Sequence, residues 1–108
     1  MSSVIRILFP CLALVASSVP SVGVRAAGDP ANGHDLARTW CTSCHLVDST
    51  SQGGDAAPPF ATIAAKNAGN EAALRGWLSN PHPPMPNLNL SRLEIDDIIA
   101  YLMSLAPR

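Results

Sequence analysis

The chain has 108 residues, 47% hydrophobic and 14% charged, and a formal net charge of −1 at neutral pH. With no basic excess, it is not expected to bind nucleic acid or an anionic membrane surface. The length suits one small domain.

Residues 1–26 read as a cleaved secretory signal. Arg6 gives a weak basic start, and 7–16 is an apolar run broken by Pro10 and Cys11. Val24-Arg25-Ala26 has the small residues expected before cleavage at Ala27. The run is too short for a spanning helix, which needs about 20 apolar residues. Cys11 follows Pro10 rather than a small residue, which disfavours a lipid anchor. Residues 27–108 then form the mature domain, expected in the periplasm, with no integral membrane segment. In that part five basic residues face eight acidic ones, which favours a basic docking partner. Its 82 residues are few for a core, since such a chain buries only about 60–65% of its unfolded surface.

The first helix opens at Asp29 as N-cap with Pro30 at N1, and runs towards Trp40. Gly33 inside it costs roughly 1 kcal/mol against alanine. Ala37 lies four residues on, so two small residues on one face let another helix cross closely. His34 reads as a solvated surface residue.

The helix delivers the chain to Cys41-Thr42-Ser43-Cys44-His45. This is C-x-x-C-H, the attachment pattern of a c-type haem. Each thiol adds across one porphyrin vinyl group, and two intervening residues let both sulfurs reach one haem edge. His45 then falls under the iron as its proximal ligand. A thioredoxin-like pair needs a βαβ setting, and nothing here reads as strand. A zinc site needs a second ligand pair, and none follows. A disulfide across two residues would be strained and leaves His45 unexplained.

Residues 46–57, rich in Asp, Ser, Thr and Gly, read as a solvent-exposed loop. Pro58-Pro59 leads into a short helix over 60–66, ended by Ala68-Gly69. Asn70 caps a third helix over 71–79, with a Glu71–Arg75 pair of favourable order. Leu74, Trp77 and Leu78 share one face. Asn80-Pro81 stops it. Pro81, Pro83, Pro84 and Pro86 stiffen the segment around Met85. Ser91 and Glu94 form a capping box for the last helix. Ile95, Ile98, Ile99, Leu102 and Leu105 follow its period, with Asp96 and Asp97 on the other face.

Over nearly all of 27–108 the chain resembles a class I c-type cytochrome, of the small bacterial mono-haem kind. The marks are Gly33 eight residues before Cys41, the C-x-x-C-H motif, Ala57-Pro58, Met85-Pro86 in a loop, and Tyr101 in the last helix. Ala37 stands where the family often has an aromatic, and Ala57 where it has glycine. The resemblance implies an all-α fold of three to four helices wrapped around one covalent haem c. It implies that the Pro58 carbonyl accepts from His45, and that Met85 is the sixth ligand.

Other arguments also favour Met85. It lies in a proline-stiffened loop, whereas Met103 on the last helix reads as core filling and Met1 leaves with the signal. His82 is the rival ligand. Trp77 is either a donor to a haem propionate or a core aromatic. The function implied is one-electron transfer with His/Met ligation, between a redox donor and acceptor, by a monomer that is not an enzyme. The alternatives are a haem enzyme or sensor with an open sixth position, and a bound cytochrome subunit of a dehydrogenase or oxidase.

Overall fold

Helix α1 spans Pro30–Trp40 and Asp29 caps it. The Asp29 carboxylate accepts from the N–H groups of Ala31 and Asn32, at 2.8 and 3.4 Å. It thereby satisfies donors that no helical carbonyl can reach. The computed structural model describes residues 28–50 and 53–108. The segment read as a secretory signal, with Met1 and Cys11, lies outside them. Helices α2 (Phe60–Lys66), α3 (Glu71–Ser79) and α4 (Arg92–Ser104) follow. Among the described residues there is no strand, and no helix is long and apolar enough to cross a membrane.

Local chemistry sets each start. The Asn70 side chain accepts from Ala73 N–H at 3.2 Å, just after Gly69 turns the chain with a φ of 77°. At α4 the Ser91 hydroxyl accepts from Glu94 N–H at 3.3 Å, and Ser91 N–H donates to the Glu94 carboxylate at 2.7 Å. Both bonds to Ser91 hold the Glu94 carboxyl below its usual range. Its stabilising contribution is therefore present above the unfolded-state pKa and lost as pH falls through the lower folded value. Ser91→Ala should lower the melting midpoint by about 4–8 °C, the shift expected for a lost cap in a domain this small.

Helix α4 is the hub, since α1, α2 and α3 all pack on it. Gly33 lies where α1 crosses α4. A Cβ there would collide with the Asp97 carbonyl and lie 2.9 Å from the Tyr101 Cβ. Ala37 is fully buried beside it, so an aromatic side chain has no room at that position. Phe60, Leu74, Ile95, Ile98, Ile99, Tyr101 and Leu102 make the core with Val47 and Cys41.

Several side chains depart from their expected places. Asp96 and Asp97 do not occupy a free face. Asp96 pairs with Arg75 at 2.6 Å, and Asp97 accepts from the Asp29 N–H at 2.7 Å. Because α4 is gripped on more than one side, its contact arc is wider than one apolar stripe. Arg75 thus reaches across to α4 rather than to Glu71. His34 is not simply solvated: its Nε2 lies 2.8 Å from the Asp48 carboxylate, and its ring centroid 4.9 Å from that of Tyr101. The 46–57 loop is not wholly exposed either, because Val47 is fully buried and its carbonyl accepts from the Tyr101 hydroxyl at 2.8 Å. Burial, and then the Asp48 carboxylate, push the Tyr101 phenol up, so it stays a donor.

Candidate haem site

Helix α1 ends by handing its last turn to the motif. Cys41 is its C-cap, and its N–H donates to the Ala37 carbonyl at 2.9 Å. The Cys41 carbonyl then accepts from both Cys44 N–H, at 3.2 Å, and His45 N–H, at 2.9 Å. One tight turn therefore carries two thiols and an imidazole. The thiols are free and unlike. Cys41 faces the core, and burial pushes its thiol up to about 11, whereas Cys44 is exposed.

A second segment laces over this turn. Gly54 N–H donates to Thr42, Ala57 N–H to Cys44 and Phe60 N–H to Leu46, at 2.8, 3.0 and 2.9 Å. The approach is too close for side chains: a Cβ on Gly53 would strike the His45 carbonyl, and one on Gly54 the Ser43 carbonyl. Ala57 has no need of glycine's freedom, since Asn89 is the non-glycine residue with positive φ among the described residues. The lacing brings Pro58 to His45. His45 Nδ1 lies 2.7 Å from the Pro58 carbonyl oxygen. A carbonyl only accepts, so Nδ1 carries the proton, and Nε2 of the neutral ring keeps its lone pair for a metal. Phe60 meets the same ring edge-on, with centroids 5.3 Å apart. The sequence reading did not single out Gly53, Gly54 or Phe60; the adjacent glycines just after the motif were the available signal.

The remaining candidates form a second group. Met85 N–H donates to the His82 carbonyl at 2.9 Å, closing a turn with Met85 partly buried. The Trp77 ring meets His82 at 6.1 Å, nearly perpendicular. Trp77 is half exposed on α3, one turn from the buried Leu74. Met103 packs against the core as filler.

These donors fit a haem c. Two thiols and an imidazole with a free Nε2 share one turn, and a thioether is held in a loop. Trp40 and Leu46, directly before and after the motif, are exposed apolar side chains suited to a flat apolar ring.

The cytochrome c family model matches residues 30–106. The chain is 41% identical over 98 residues to cytochrome c-552 of Bradyrhizobium diazoefficiens, covering 90% of this chain and 92% of that protein. No solved structure matches it. A helical fold closed over C-x-x-C-H and a family match over residues 30–106 lead to one conclusion: the chain belongs to the cytochrome c family and is an electron carrier with covalently attached haem c.

Proposed function

We propose that this is an exported mono-haem carrier whose iron is held by His45 and Met85 and whose haem is bonded by Cys41 and Cys44. The bond from His45 Nδ1 to the Pro58 carbonyl, at 2.7 Å, carries the reading. It fixes the tautomer in which Nε2 can ligate, and makes the imidazole a better donor. Haem bound there supplies an iron that cycles between Fe(III) and Fe(II). Met85 offers a soft thioether that favours Fe(II) and raises the potential. Its turn and flanking prolines limit movement between the two states. Trp77, half exposed on α3, has an indole N–H available for a propionate. Export rests on residues 1–26. The 98 matched residues outnumber the 82 that follow residue 26, so the relative shares part of that segment too.

Acid–acetone should leave the haem on the purified protein, and the denatured mass should exceed the chain by one haem. Free haem in the organic phase would refute attachment through both thiols. A weak band at the red end of the ferric spectrum should report the iron–sulfur bond.

Acidic residues outnumber basic ones after residue 26, and Lys66 is the one lysine there. No ring of lysines steers this protein to an acidic partner, so a basic or mainly apolar docking face is expected. Stopped-flow electron transfer should run faster with a small cationic reagent than with an anionic one. The gap should close with salt, because charges are screened within about 10 Å at 0.1 M. A faster anionic reagent at low salt would place the acids away from the haem edge.

A further inference from the structure

We propose that Phe60 is a positioning residue for His45, its ring setting the plane of the imidazole about the iron–nitrogen axis. The inference rests on the reading of His45 as an axial ligand. The Pro58 carbonyl holds Nδ1 at 2.7 Å, but one hydrogen bond leaves the ring free to swing about the line it defines. A second ring packed against the imidazole removes that freedom. Phe60 is such a ring: it is 5% exposed, and its plane stands at 69° to the imidazole with centroids 5.3 Å apart, an arrangement aromatic rings favour.

Phe60 is itself braced. Phe60 opens α2, and its N–H donates to the carbonyl of Leu46, the residue after His45, at 2.9 Å. Phe60 also meets the Tyr101 ring, with centroids 6.3 Å apart at 45°. Tyr101 is pinned by its hydroxyl bond to Val47 at 2.8 Å. Its ring also meets the His34 ring, with centroids 4.9 Å apart, and His34 is held by Asp48 at 2.8 Å. Four rings thus run from the α1 surface to His45, each anchored by a hydrogen bond or by helix backbone. The imidazole plane decides which π-type iron d orbital lies higher, and so how the unpaired electron of the ferric state spreads over the haem. One fixed plane in both oxidation states keeps reorganisation small.

The ferric holoprotein tests this by proton NMR of the haem methyls and by EPR anisotropy. Phe60→Leu and Phe60→Met both keep an apolar core side chain and remove the flat ring. Each should change the order and spread of the methyl shifts while the iron stays low-spin. Phe60→Tyr should restore the wild-type pattern. Ser91→Ala, which weakens the fold at a distant cap, should leave the pattern unchanged. If the Leu and Met variants melt earlier but keep the wild-type pattern, Phe60 only fills space and the inference is overturned. Pulsed EPR of the wild type tests ligation separately: no axial imidazole nitrogen would overturn the ligand reading and this inference with it.

Discussion

A chain with Cys41→Ala and Cys44→Ala should be largely unfolded. Without thioethers only the two axial bonds to the iron remain to hold haem, and the protein part of the core is thin. Helix α2 has seven residues and buries Phe60 and Ala64; α3 has nine and buries only Leu74. Isolated helices shorter than about 12–15 residues are marginal in water. Ordering each residue costs about 1–2 kcal/mol, which these few burials are too small to offset. The Arg75–Asp96 pair that ties α3 to α4 has a half-exposed arginine, and such pairs add little. Helices α1 and α4, crossing at Gly33, are where residual helicity should remain. The expected result is weak far-ultraviolet dichroism, no cooperative melt and collapsed amide dispersion in NMR. A dispersed spectrum and a sharp melt in this variant would show that the side chains suffice.

What could be read from the sequence was local. Asp29-Pro30, Asn70 and the Ser91–Glu94 box each place a helix start through groups within three residues of one another, and all occur where expected. The C-x-x-C-H spacing is likewise one turn of chain. Contacts between distant segments left no such trace. His34 meets Asp48 fourteen positions away, and the Asp29 N–H meets Asp97 sixty-eight away. A helical period assigns one inward face, so it put Asp96 and Asp97 outside on a helix that three others touch. It also put Leu74, Trp77 and Leu78 on one face, of which Leu74 is buried and Leu78 packs partly against the core. Val47 sits in a polar stretch whose composition reads as loop; it joins a core built mostly from distant residues, and its carbonyl is met by Tyr101, which no nearby residue announces. The donor groups were therefore legible, while the ring stack behind His45 was not.

Met85→Ala should turn a carrier into a ligand-binding haem protein. Met85 sits in a turn closed by its N–H to His82 at 2.9 Å, with Pro84 and Pro86 on either side. Proline fixes φ at each neighbour, so the thioether is presented with little freedom to leave. Removing it takes away a soft donor that prefers Fe(II), so the midpoint potential should fall, by roughly a tenth to a third of the ~0.8 V window that axial ligands span. The red-end ferric band should vanish. Added cyanide or CO should bind readily, and weak peroxidase activity should appear, because peroxide can now reach the metal. Met103→Leu is the control. Met103 packs partly buried against the core, and a volume-conserving swap there costs under about 1.5 kcal/mol without touching the spectrum. His82→Ala separates the rival ligand: if His82 held the sixth position, that variant rather than Met85→Ala would lose the low-spin signal. A wild type that binds CO rapidly at neutral pH would mean an open sixth position, and the reading of a His/Met electron carrier would give way to that of a haem enzyme or sensor.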